Sequence, residues 1–127
     1  MRAVQTNHSE DHMARQNIKE ATQGRLKIFR DLLIAASNNI DEIDMRLVDL
    51  LTQRSKWCLE VCSLKMKLGA PIVRPDIELK RFRRVSQRAK LKGYNSPQDL
   101  VAIWRFLIAL SKSDQMLSIQ TKSASNK

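Results

Sequence analysis

The breaks in this chain are so few that they dictate its architecture. Glycine and proline occur three times each, and five of these six residues fall in two short stretches, Gly69 to Pro75 and Gly93 to Pro97. Gly24 stands alone upstream. The chain therefore divides into long segments that must be continuous elements, and the spacing of their apolar residues decides which kind. From Leu26 onward that spacing runs Phe29, Leu33, Ala36, Ile40, Ile43, Leu47, Leu50, then Trp57, Val61, Leu64 and Leu68. Steps of three and four alternate, as a packed helix seam requires. The pattern predicts one helix over Arg25 to Leu68, some 60 Å long at about 1.5 Å per residue. A single chain of 127 residues does not easily bury such a seam, so the pattern also predicts a helical homodimer.

Pro75 and Asp76 suit the start of a second helix. Its stripe Glu78, Phe82, Val85, Ala89 keeps helical spacing until Gly93 supplies a stop. Ser96-Pro97-Gln98-Asp99 then reads as a third helix start, with Ser96 as N-cap and Pro97 in the first turn. The inner side of that helix is Leu100, Trp104, Leu107, Ile108, Ser111 and Gln115, before the polar tail TKSASNK. The fold class is all-α, a three-helix chain with a very long first helix. The expected division is a disordered polar arm over residues 1–24, a helical domain over 25–118 and a polar tail over 119–127.

Lys and Arg number 23 against 13 Asp and Glu, a formal charge of +10. Such a balance attracts polyanions, anionic membranes or a small anionic substrate. A dense part of it is LKRFRR and the Arg88 beyond, where Lys80, Arg81, Arg83, Arg84 and Arg88 lie mostly around the side of the second helix away from its apolar stripe. With few aromatics interleaved and no nucleic-acid motif, this reads as a solvated face that can also draw in a dianion, and no nucleic-acid partner is expected. The first twenty residues contain no apolar run of the signal-peptide kind, and Glu10 and Asp11 argue against a transit peptide. No segment suits a bilayer span, so a cytoplasmic protein with no membrane partner is the expectation.

Chemistry that needs a nucleophile, a metal or a cofactor finds little support. His8 and His12 both lie in the polar arm, and Cys58 and Cys62, four apart on a helix, read as small packing residues. There is no Gly-rich phosphate loop and no metal-ligand spacing, so no cofactor is expected. Polar residues nonetheless interrupt the inner faces. Arg54 falls on the seam between Leu50 and Trp57, and Lys65 lies eleven residues later, which at about 100° per residue returns to within roughly 20° of the same direction. Glu78 opens the stripe of the second helix, and Ser111 and Gln115 stand one turn apart on the third. Each alone reads equally well as a satisfied ion pair, a cap or a snorkelling side chain. Together they offer cations, a carboxylate, a hydroxyl and an amide to one interior, which suits a small polar anion bound inside a bundle.

The order of these residues carries a resemblance. The run IDEIDMRLVDLLTQR, then Lys65, the turn LGAPIVRPDIE and the segment IWRFLIALSKSDQ resemble the all-α chorismate mutases, especially the short domain found alone or fused to prephenate dehydratase. The likeness spans Asn38 to Gln115 without a large gap. It implies an intertwined homodimer whose two sites each bind chorismate, and a pericyclic rearrangement to prephenate in phenylalanine and tyrosine biosynthesis, needing no cofactor. Position by position, Arg54 resembles the family's carboxylate-binding arginine and Lys65 the lysine that reaches a carboxylate and the ether oxygen. Glu78 matches the glutamate that binds the substrate hydroxyl, Gln115 the second donor at the ether oxygen, and Ser111 a supporting contact. Some small members also gain activity from a partner enzyme of the aromatic pathway.

Two positions depart from the family pattern, for Ser37 and Ile77 stand where it has arginines that bind substrate carboxylates. Each such bond contributes about 1.5–3 kcal/mol, so losing both lowers catalytic efficiency by roughly 10² to 10⁴ if nothing compensates. Arg74, just before the second helix, and Arg30, two turns before Ser37, are the candidate substitutes. Three readings follow: a slowed chorismate mutase, a non-catalytic regulatory or scaffold dimer of the same fold, and an enzyme acting on a close analogue of chorismate.

Overall fold

The structure is a computed structural model that describes residues 8–126. Among these it has three helices, α1 (His8–Leu68), α2 (Pro75–Leu91) and α3 (Pro97–Ser125). The chain divides into two units, Met1–Val48 and Asp49–Lys127.

In the first unit, α1 starts at His8 and not at Arg25. Residues 8–24 of the expected polar arm are thus helical, while residues 1–7 lie outside the described ones. The segment is rich in good helix formers, Glu10 and Asp11 sit in its first turn, and Gln16 donates to Glu20 one turn on at 3.2 Å. Acidic groups at a helix start and paired side chains four apart both favour the helix. Gly24 disfavours it by only about 1 kcal/mol, which its neighbours outweigh. The apolar seam of this unit faces water in the single chain: Phe29 and Leu33 are each 66% exposed and Ile40 59%.

The second unit holds the packed part. α1 ends in a Schellman motif: Gly69 adopts φ +65°, its N–H donates to the Met66 carbonyl, and the Ala70 N–H donates to the Lys65 carbonyl. The end of α2 repeats it, with Gly93 at φ +72° and the N–H of Gly93 and Tyr94 donating to the carbonyls of Lys90 and Ala89. Both glycines are needed because a side chain is strained at such φ. α2 opens with Pro75 at its first position and Arg74 as N-cap at φ −128°, the extended conformation that a following proline imposes.

Ser96 does cap α3, at φ −133°, but without the side-chain hydrogen bond that its sequence context suggests. Its backbone carbonyl instead accepts from Asp99 N–H at 3.1 Å. α3 also continues through the polar tail to Ser125, where the hydroxyls of Thr121 and Ser125 bond back to the carbonyls of Leu117 and Lys122 and so share the helix acceptors.

α2 and α3 pack on each other, and Arg105 of α3 lies over the Phe82 ring of α2 at 5.6 Å, an attractive cation–π arrangement. The stripes read from spacing point inward: Phe82 and Val85 are half-buried and Ala89 buried on α2, with Leu100, Trp104 and Leu107 half-buried and Ile108 buried on α3. Cys62 is 1% exposed and both thiols are free, as expected of a small packing residue. Other seam residues of this unit remain wet, Trp57 at 71% and Leu68 at 80% exposed.

Candidate active site

The inner face of α1 in the second unit presents Arg54, Trp57, Cys58, Val61 and Lys65, which recur at the three- and four-residue steps of one helix side. With Ile77 and Glu78 from the first turns of α2, and Trp104, Ile108, Ser111, Lys112 and Gln115 from α3, they line a cavity of about 360 Å³. Small-molecule sites commonly span about 300–1,000 Å³. The five inward polar residues read from the sequence therefore meet in one place.

Each is held by a specific bond. Arg54 Nη1 donates to Ser111 Oγ at 2.7 Å, and Ser111 Oγ donates to the Leu107 carbonyl at 2.9 Å. A hydroxyl has one proton, so the second bond turns its lone pairs toward the guanidinium. Gln115, only 9% exposed, donates through Nε2 to the Cys58 carbonyl at 3.0 Å. An amide NH2 carries two N–H groups, so one more bond is within its capacity. Lys65 Nζ donates to the Ile72 carbonyl at 3.1 Å, which ties the α1–α2 turn to the site. Its ammonium has three N–H groups in all.

Arg74 lies at the cavity wall but is committed locally. Its Nε and Nη2 donate to the two carboxylate oxygens of Asp76 at 3.1 and 3.0 Å. The hydrogen bond from Arg74 holds the Asp76 carboxyl below its usual range, and the same pairing raises the guanidinium's pKa. Of the two candidate substitutes named from the sequence, then, Arg74 spends its planar fork on a neighbour, and Arg30 belongs to the first unit.

One functional group escaped the sequence reading. Lys112 Nζ stands 2.7 Å from Glu78 Oε1, with the two side chains 40% and 21% exposed. Lys112 comes four residues after Ile108, so helical spacing alone assigns it to the inner face; its place within a basic chain disguised it. Arg81 and Arg84, read as wet outer face, are exposed yet also border the cavity. The lining thus carries six cationic side chains, Arg54, Lys65, Arg74, Arg81, Arg84 and Lys112, against the one carboxylate of Glu78. Such walls favour an anionic ligand with a hydroxyl or other donor for Glu78.

The family model for chorismate mutase type II matches residues 36–116. The chain belongs to the chorismate mutase type II family. It is 29% identical over 89 residues to a chorismate mutase of Methanocaldococcus jannaschii, a match covering 69% of this chain and 88% of that protein. No solved structure matches the chain. All the residues that meet at the cavity, from Arg54 to Gln115, fall inside the segment that matches the chorismate mutase model. Among the described residues, no helix is long and apolar enough to cross a membrane.

Proposed function

We propose that this chain is a chorismate mutase, an isomerase converting chorismate to prephenate in the cavity walled by Arg54, Lys65, Glu78, Ser111 and Gln115. The observation that carries the reading is their convergence, from three helices, on one cation-rich cavity with a single carboxylate. In the rearrangement an ether C–O bond breaks and a C–C bond forms within one cyclic array of electrons. No proton moves and no covalent intermediate arises, so the protein contributes by holding a folded conformer and by placing donors where charge develops.

In this reading Arg54, oriented by Ser111, grips a substrate carboxylate. Lys65 and the free capacity of the Gln115 amide serve the ether oxygen, while Glu78 accepts from the substrate hydroxyl. Arg74 acts at the rim, a weaker role than its sequence position suggests because Asp76 already satisfies its fork. The homodimer belongs to the same proposal. It is supported by the exposed apolar residues of the first unit, among them Phe29, Leu33 and Ile40, since contiguous exposed apolar surface of this kind marks a protein contact.

The test is chorismate consumption and prephenate formation by the purified chain, run beside the Ile77→Arg variant. Prephenate from the native chain establishes the enzyme and makes Ser37 and Ile77 tolerated departures. Activity only in Ile77→Arg means a site with its geometry kept and its charge depleted. Silence from both, with a stable dimer, favours the non-catalytic reading.

A further inference from the structure

Lys112 has no assigned part in the reading above, yet it is bonded to one of the groups that has. Its ammonium lies 2.7 Å from Glu78 Oε1, and it follows Ser111, the residue that holds Arg54. The bridge spans α2 and α3 at the cavity wall and is partly withdrawn from water. Ile77, the chain neighbour of Glu78, lines the same cavity with an apolar side chain.

The other cations are placed differently. Arg54 and Lys65 both come from α1. Arg74 is spent on Asp76 through two bonds, and Arg81 and Arg84 are exposed at the border. The cation held beside Glu78 is therefore the one that α3 sends in. A dianionic ligand near an unpaired Glu78 would meet like-charge repulsion, which a paired lysine offsets. An ammonium has three N–H groups and Glu78 takes one, so the others can serve a ligand carboxylate. Glu78 in turn has four acceptor positions on its two oxygens, and the bridge does not exhaust them.

We propose that Lys112 is a substrate-binding residue: anchored on Glu78, its ammonium donates to a substrate carboxylate and supplies from α3 the positive charge that Ile77 does not supply from α2. The inference rests on the reading of this cavity as the chorismate site. It assigns the chain its own route to a dianion, with the cation supplied from α3 beside Glu78 and not from position 77 of α2.

The experiment compares kcat and KM for chorismate in the native chain, Lys112→Arg, Lys112→Met and the double variant Lys112→Met/Ile77→Arg, together with binding of a bicyclic ether dicarboxylate by calorimetry. Methionine keeps the length of the stem and removes the charge. Lys112→Met is expected to lower kcat/KM about ten- to a hundredfold, as loss of one charge-assisted hydrogen bond does. The change falls mainly on KM, dicarboxylate affinity drops in parallel, and Lys112→Arg stays close to native. Adding Ile77→Arg to Lys112→Met recovers at least about tenfold, because the charge returns to the same wall. A role confined to bridging α2 and α3 would lower Tm and leave KM alone, and arginine at 77 would not rescue it; that outcome overturns the proposal. So does a native chain that turns over chorismate alongside a Lys112→Met variant within twofold of it, while the function stands. A native chain that neither converts chorismate nor binds the dicarboxylate overturns the function and this inference together.

Discussion

Arg54 Nη1 and Ser111 Oγ meet at 2.7 Å although the residues lie 57 apart in sequence. The bond links α1 to α3 through side chains and orients the Arg54 guanidinium. Ser111 is itself pinned to the Leu107 carbonyl at 2.9 Å, so its lone pairs cannot swing away without cost.

A hierarchy of effects follows from that geometry. Arg54→Ala removes the charge and the fork, and is expected to lower kcat/KM about a hundredfold or more, the loss of at least two charge-assisted bonds. Ser111→Ala removes only the orienting acceptor and is expected to cost about two- to tenfold. Steady-state kinetics on the two single variants and the double variant measure it. Equal losses in both singles would contradict an orienting role for the hydroxyl.

Gln115 combines burial with a bond to the Cys58 carbonyl at 3.0 Å. Gln115→Ala is expected to reduce kcat by about 10² or more, the size seen when a donor to developing negative charge is removed. Stability should fall as well, by about 1 kcal/mol for the lost hydrogen bond. Chorismate kinetics at a temperature well below the measured Tm separate the two effects.

The glycines should respond in opposite directions. Gly93 has φ +72° with open space around its Cβ position, so an alanine there is strained by backbone alone. Gly93→Ala is expected to destabilise by about 1–2 kcal/mol and lower Tm by several degrees. Gly24 lies inside α1 with nothing within 4 Å, and Gly24→Ala should strengthen the helix by about 1 kcal/mol. Thermal unfolding followed by circular dichroism reads both.

Asp76 gives a pH-dependent signature at the start of α2. Its folded pKa is depressed, chiefly by the hydrogen bond from Arg74. A depressed carboxylate contributes stability that is present above its ordinary range and lost as pH falls through the lowered folded value. An NMR titration of the Asp76 carboxyl carbon should find it titrating below an ordinary aspartate, and Arg74→Gln should return it toward that range. An unshifted titration in the native chain would show that the pairing does not persist in solution.

How much of this was legible beforehand depends on which kind of information is asked for. Gly69 and Gly93 end their helices through left-handed φ values because the left-handed corner needs a residue without a Cβ, a local rule that sequence reveals. The inward set Arg54, Lys65, Glu78, Ser111 and Gln115 was legible for a related reason. Helical period converts spacing into direction, and polar groups on an apolar stripe stand out against it. The start of α1 at His8 was not, since Gly24 looks like a break and is only a weak penalty that neighbouring residues absorb.

The sequence by itself determined three helices, the glycine stops of the first two and the inward set Arg54, Lys65, Glu78, Ser111 and Gln115, because those follow from bonds and periods within a few residues. Only the tertiary structure decided that Lys112 of α3 closes on Glu78 of α2. Among many cations on a basic chain, the partner of each is chosen by distance and by exclusion of water, and both arise only when separate helices pack together.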